Sequence, residues 1–372
     1  MKNIFLISLL LFVTGGELGK IHLTAEIAIY LHDFLLIAYL LFNFNKLKRI
    51  IKKLKKINKI NKKILFLLIL NVFLAIIYAI YQNRFQFTSF LYMARALAYF
   101  LFILLLKTNF NEKKILNVFL SASFLILILG LLQYFLLPDL TSLYHLGYDD
   151  HFYRLASTLL DPNFTGLILV FNCLYYFKRK NLDKKNIFLA LLFLVGLALT
   201  YSRASYLSLL LASIYLISNS QKITKLFISF CLLFFIVLIP FLPKKSGGEG
   251  VNLTRVSSIS ARMTSAKQYL SSNRGPTIFF GQGPFSPQYQ INQEGNISHA
   301  RFADNFLIFL YNGFGIFGTS LILLLLIREF KQEWEHKHHW QISLLIALLV
   351  HSLFNNNMTQ AMTSLTFWAF YL

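Results

Sequence analysis

The sequence predicts an all-α, polytopic integral membrane protein of about twelve transmembrane helices, with one large external loop between the ninth and the tenth. Three observations lead there. Of 372 residues, 56% are hydrophobic and 14% charged, against about a quarter charged in a soluble globular chain. The apolar residues fall in repeated runs of roughly 18 to 23, the length that crosses a bilayer as a helix. Those runs are continuous rather than alternating. Of the two architectures that satisfy their backbone inside lipid, this selects helices over a closed barrel.

Hydropathy places the helices at roughly 3–18, 24–44, 64–81, 87–106, 115–137, 155–177, 186–201, 204–219, 223–242, 303–327, 341–355 and 358–372. The first run follows Met1-Lys2-Asn3 without a small-residue cleavage site, so it reads as a retained helix rather than a signal peptide. Three regions result: helices one to nine over 1–242, an external loop over 243–302, and the last three helices over 303–372. Cys173 and Cys231 both lie inside apolar runs and give neither a disulfide framework nor metal-ligand spacing. They read as buried small hydrophobes.

A formal net charge of +21 raises nucleic acid as a partner, but the lysines sit in short clusters between apolar runs, the pattern that sets membrane topology. Membrane lipids, not nucleic acid, are the expected partner. The linker Lys46 to Lys63 is the densest cluster and is assigned to the cytoplasm, where it suits an anionic-lipid anchor. Alternation then sends the clusters at 107–114, 178–185, 222–225 and 328–337 to the same side. The assignment puts 24 of the 36 basic residues inside and 11 outside, and leaves Arg95 within a helix. Both termini are expected to be cytoplasmic.

The kind of cation differs between the two sides. Inside are 21 lysines and three arginines; outside are four lysines and seven arginines, Arg84, Arg154, Arg203, Arg255, Arg262, Arg274 and Arg301. Positive charge outside opposes the topology signal. Guanidinium grips phosphate in bidentate fashion and keeps its charge, which ammonium does not match. A phosphate-bearing ligand at the outer leaflet follows. For any one arginine, pairing with Asp149, Asp150, Glu249, Glu294 or Asp304, or with lipid head groups, is an equally good account; for seven together it is not.

The stretch from Phe241 to Gly318 is the one long polar segment, and it holds seven of the basic residues beside Gly281-Gln282-Gly283 and His299. Leu253, Val256, Ile259, Met263, Ala266 and Leu270 recur at helical spacing, which predicts an amphipathic helix over the outer mouth with Arg255, Arg262 and Lys267 away from or beside its apolar stripe. Gly247-Gly248 before it and Gly275-Pro276 after it can act as hinges of a lid; a static surface helix is the alternative. Thr200-Tyr-Ser202-Arg203-Ala-Ser205 joins two apolar runs at the external surface. An arginine at that depth lines a wet cavity, meets an anion, or snorkels to the interface. Arg95, mid-helix between Tyr92 and Tyr99, has no partner in its own helix and is a further candidate for lining a cavity. His336, His338 and His339 read as an interfacial loop rather than a metal site.

Four motifs, in order, resemble the O-antigen ligase and O-antigen polymerase superfamily of polytopic membrane glycosyltransferases. They are Arg154 followed by Asp161-Pro162-Asn163; Thr200-Tyr-Ser-Arg203-Ala; Arg262 followed by Gly281-Gln-Gly283; and His299 followed by Asp304-Asn305 and a helix containing Gly313, Gly315 and Gly318. His351-Ser-Leu-Phe and Phe367-Trp368 resemble the family's closing segment. The resemblance covers the chain from about residue 150 to its end. His299 and Asn305 stand six apart here, where many members place them nearly adjacent. Glu17 and His32-Asp33, in the N-terminal third, match no motif.

The resemblance implies transfer of an oligosaccharide or polysaccharide from undecaprenyl diphosphate to an acceptor sugar on the outer face of the bacterial cytoplasmic (inner) membrane. Arg154, Arg203 and Arg262 would clamp the diphosphate, and His299 would serve as base, with Arg203 and Arg262 beside it in catalysis. His145 and His151 are external alternatives to His299. Asn163, Ser202, Arg255, Arg274, Arg301, Asp304 and Asn305 are candidate substrate contacts. No external acidic cluster is visible in the spacing, so the expected chemistry is metal-independent and without cofactor, with arginine in the metal's place. The ligase branch, acting on a lipid A core, fits the external loop and its His-containing end better than the polymerase branch, which extends a growing glycan. A non-enzymatic flippase or transporter of lipid-linked oligosaccharide would also need an arginine-lined cavity, but would be expected to show internal repeats, and none is visible.

Overall fold

The computed structural model describes residues 2–22, 28–48, 59–82, 86–146, 148–179, 183–243, 249–286 and 303–371. His299, Arg301, Arg84, Lys244, Lys245, Gly247, Gly248, Glu294 and linker residues 49–58 lie outside the described residues.

The apolar runs fold as helices: α1 Lys2–Gly15, α2 Leu31–Phe42, α3 Lys59–Tyr81, α4 Phe87–Asn109, α5 Glu112–Leu136, α6 Pro162–Phe177, α7 Lys184–Leu199, α8 Arg203–Ser218 and α9 Lys222–Leu238. The segment expected to form the external loop contributes α10 Ser257–Ser272 and the short α11 Thr277–Phe280, and α12 Phe306–Glu335, α13 His339–Ser352 and α14 Ala361–Tyr371 follow. A small antiparallel ribbon pairs β1, Lys20–His22, with β2, Ala28–Tyr30. The described residues are thus mostly α-helical.

Among the described residues, five helical stretches are long and apolar enough to cross a membrane: Ile60–Tyr81, Phe87–Asn109, Glu112–Leu136, Lys222–Phe241 and Phe306–Glu335. Only 22% to 39% of each spanning window is buried, so most of their apolar surface faces outward, as lipid requires and water penalises. The remaining apolar helices are shorter. Helix α6, 16 residues and about 24 Å long at 1.5 Å per residue, is apolar on all sides and buried on all sides, the mark of a central helix. Around it pack α7, α8, α13 and α14, and its Leu167, Val170, Phe171 and Leu174 form the middle of the core.

Two predicted boundaries move for identifiable reasons. The helix expected from about 155 starts at Pro162, because Asp161 caps it through Asn163 N and Phe164 N and proline occupies its first turn, where its missing N–H costs nothing. The preceding segment is irregular, with positive φ at Tyr153, Ser157 and Leu160. The helix expected from about 24 starts at Leu31, after the ribbon, with Asp33 accepting the Tyr30 N–H in a capping box.

Helix α12 is broken at Gly315 (φ 64°, ψ −170°). A Cβ there would stand 2.3 Å from the Phe279 carbonyl, and one on Gly281 (φ +84°) would stand 2.4 Å from the Gly313 carbonyl. The two glycine segments therefore cross in direct backbone contact, which only glycine permits, and Gln282 N donates to Asn312 O at 2.7 Å across the crossing. The Gly281-Gln-Gly283 motif is thus a packing device that hangs the segment carrying α10 and α11 on α12.

Loops assigned to one side of the membrane meet one another. Lys20 lies over the Tyr148 ring, Tyr201 Oη donates to Pro243 O, and Asn305 Nδ2 donates to Leu353 O, all at one end of the bundle. At the other, Lys46 Nζ donates to Asn109 Oδ1 and Lys178 lies over Trp340. There His338 Nδ1 meets Glu333 and His339 Nδ1 meets the Tyr215 hydroxyl, so these two imidazoles have separate partners. Cys173 and Cys231 are both buried and free.

Candidate functional site

Four arginines converge at the first of those ends, each delivered by a different local device. Arg154 sits in the irregular segment before α6, which is pinned by Leu155 N to Leu199 O and Tyr153 N to Pro138 O. It is 5% exposed, its Nε donates to Thr200 O at 3.0 Å, and its Nη2 is buried with no hydrogen-bond partner among the described residues. Arg203 opens α8, and its Nη1 donates to Arg255 O at 2.9 Å and to Leu253 O at 3.3 Å. Arg255 is itself curled onto the carbonyls of Gly250 and Asn252. Arg262, on α10, donates from Nη2 to Asn355 Oδ1 at 3.1 Å, while its Nε stands 3.8 Å from Asp304, beyond hydrogen-bond reach.

These guanidiniums act on one another. Burial, and then the charge of Arg255, push Arg154 down to about 10, and neighbouring Asp161 only partly offsets this. His151, 6% exposed, is pushed down to about 3 by burial, then by Arg154 and Arg255, so its imidazole is neutral at pH 7. Asp161 is pushed up to about 6 by burial and by the Asp149 carboxylate, against the pull of its two capping N–H groups. Cation and acid are both held away from their ordinary ionisation, as at sites that bind or react with charge.

Beside the arginines lies a cavity of about 420 Å³ between α8, α10, the start of α12 and the end of α13. Arg203, Arg262, Asp304 and Asn305 supply its polar wall, and Leu207, Met263, Ala266, Ile308 and Leu353 its apolar one. An amphiphile, charged at one end and hydrocarbon at the other, matches that division. Helix α10 forms one wall as the amphipathic pattern predicts. However, Ile259 and Met263 are 47% and 58% exposed, so its apolar stripe is open to the cavity mouth rather than sealed against the bundle.

Behind the cavity runs a buried hydrogen-bond chain. Asn357 Nδ2 donates to Asn355 O and to His351 Nδ1, which leaves the proton of a neutral His351 on Nε2, facing Ser205 Oγ at 2.9 Å. Ser205 Oγ donates to Ser202 Oγ, and Ser202 Oγ to Asn163 Oδ1, each at 2.9 Å. This chain ties α6, α8 and α13 together immediately behind Arg203. Ser202 is also the N-cap of α8, so Ser202→Ala is expected to cost about 1 kcal/mol of stability, read as a lowered unfolding temperature in detergent.

Of the residues singled out from sequence, Arg154, Arg203, Arg255, Arg262, Asn163, Ser202, Asp304 and Asn305 come together. Asn305 spends Oδ1 capping α12 and Nδ2 on Leu353 O, so its role is to shape the cavity. Arg274 stands apart in an exposed turn whose backbone is tied to the Thr277 hydroxyl. Arg95 does not line the cavity: its Nε meets Asp33 Oδ1 at 3.0 Å and its guanidinium lies over the Tyr30 ring. The partner missing from its own helix comes from α2. Asn355 and the grouping of Asp149, His151 and Asp161 were not apparent from sequence, and His351 was marked there only as part of a closing-segment resemblance, with no site role. The short Asp149-x-His151 spacing beside Arg154 was the available signal for the grouping.

The chain matches no protein-family model, and no curated protein matches it.

Proposed function

We propose that this chain is a twelve-helix membrane glycosyltransferase that moves a glycan from undecaprenyl diphosphate to an acceptor sugar at the outer face of a bacterial cytoplasmic membrane, in the manner of O-antigen ligases. The observation that carries the reading is Arg154, a buried guanidinium with an unpartnered Nη2 set among Arg203, Arg255 and Arg262. A buried cation facing three partly exposed ones calls for an anion, and the adjoining cavity has an apolar wall for the hydrocarbon that such an anion would bring.

In the transfer, the acceptor hydroxyl oxygen attacks the anomeric carbon, the carbon–oxygen bond to the diphosphate breaks, and the electron pair leaves with the diphosphate. The hydroxyl proton passes to a base, for which His299 is the proposal. Charge grows on the leaving diphosphate in the transition state, and preorganised donors in a site of low dielectric stabilise it most strongly there. Arg262 and Arg203 line the cavity and would meet that charge; Arg154 would meet it from beneath. The acceptor is proposed to be a lipid A core.

Purified protein in lipid, given labelled undecaprenyl-diphosphate oligosaccharide with either lipid A core or a second repeat unit, is expected to transfer to the core. Transfer to the repeat unit instead would assign the polymerase branch. Movement of the donor between leaflets with no transfer to either acceptor would refute the enzyme and favour a transporter.

A further inference from the structure

Beside the arginine cluster the fold assembles three groups from two separate stretches: Asp149 and His151 from the loop before Arg154, and Asp161 from the start of α6. Their ligand atoms all lie within 4.8 Å of one another. Metal–ligand bonds of about 2.0–2.2 Å place neighbouring ligand atoms roughly 3 to 4 Å apart, so the group needs only a small contraction to close on an ion.

The imidazole supplies the independent sign. His151 is 6% exposed, its Nε2 has no hydrogen-bond partner among the described residues, and one of its ring nitrogens lies within 4.8 Å of both carboxylates. A buried imidazole nitrogen left without a hydrogen bond is a group that a metal ion would satisfy. Asp161 uses Oδ1 for both capping bonds, so Oδ2 remains to face the group.

We propose that Asp149, His151 and Asp161 form a divalent cation site that binds its ion together with the diphosphate held by the adjacent arginines. One imidazole and two carboxylates suit a borderline cation such as Mn2+ or Zn2+, and three protein ligands leave coordination positions open for phosphate oxygens. Arg154 and Arg255 repel a cation arriving alone, and an anion between them and the ion removes that repulsion. The ion's proposed part is to hold the diphosphate and share its charge with the arginines. This departs from the metal-independent chemistry expected from sequence, and it rests on the diphosphate reading for its co-ligand.

The test is pulsed electron paramagnetic resonance on the purified full chain with Mn2+, with and without inorganic pyrophosphate. The expected result is one bound Mn2+ per chain whose echo is modulated by an imidazole nitrogen, with affinity at least about tenfold higher when pyrophosphate is present. His151→Gln should abolish the nitrogen modulation, and the exposed Asp149→Asn should weaken Mn2+ by at least about tenfold while leaving the unfolding temperature unchanged. Mn2+ bound without nitrogen modulation, or with an affinity indifferent to both substitutions, would overturn the site. The readout needs no turnover. A chain that shows the nitrogen signature yet transfers no glycan keeps the cation site and loses the transferase.

Discussion

Arg262→Ala is expected to lower glycan transfer by about 10²- to 10³-fold while leaving the protein folded. Arg262 lines the cavity and is held loosely, by one hydrogen bond to Asn355 and a 3.8 Å approach to Asp304. Its side chain is 37% exposed, so removing it strands no buried charge. Its proposed work is concentrated in the transition state, where the leaving diphosphate carries the most charge, so the loss should fall on kcat more than on KM. Arg262→Lys keeps the charge without the planar fork and should recover only part of the rate. Arg203→Ala should be as damaging to transfer but less clean, because Arg203 also ties the carbonyls of Leu253 and Arg255 and so holds the segment entering α10. Unchanged transfer by Arg262→Ala would remove it from the diphosphate site.

The largest loss of stability is expected from Asp33→Ala, at a residue that does not line the cavity. Arg95 and Asp33 have side chains only 24% and 12% exposed, and their contact is reinforced by Tyr99 Oη donating to Asp33 Oδ1 at 3.0 Å and by His32 Nε2 at 3.2 Å from Arg95 Nη2. Removing one partner of a buried pair leaves the other charge uncompensated, at about 3–5 kcal/mol. Asp33→Asn, which retains an acceptor, should cost less. The double replacement Asp33→Leu with Arg95→Met should restore much of the loss, because apolar substitution of a whole buried pair is often neutral. Thermal unfolding in detergent reads all three. An additive double mutant would show that the pair does not act as a unit.

What was legible in the sequence divides along physical lines. Continuous apolar runs reveal helices because burial in lipid or core demands them all round, and each run contains one among the described residues. Hydropathy overran the start of α6, although Asp161-Pro162 spelled a cap and a first turn; the apolar residues at 155–160 are buried in irregular backbone, which hydropathy does not distinguish from helix. The excess of arginine in the loops assigned to the outer face was legible because it ran against the topology signal, and four of those seven arginines meet at one end of the bundle. Pairings across the chain were not legible. Arg95 and Asp33 are 62 residues apart, and Ser205 and His351 are 146 apart. The Gly281-Gln-Gly283 motif stood in the sequence only as part of a resemblance; its close crossing with Gly313 and Gly315 is a long-range backbone contact that no local pattern spells.

Occupation of the arginine-walled cavity by a lipid diphosphate is tested most directly by the affinity of the purified protein for undecaprenyl diphosphate against undecaprenol, followed by native mass spectrometry from lipid nanodiscs. Binding of the diphosphate at least about 100-fold tighter than the alcohol, about 2.7 kcal/mol, and lost in Arg154→Ala with Arg262→Ala, is the predicted result. Equal binding of the two lipids, or a preference that survives loss of both arginines, would contradict it.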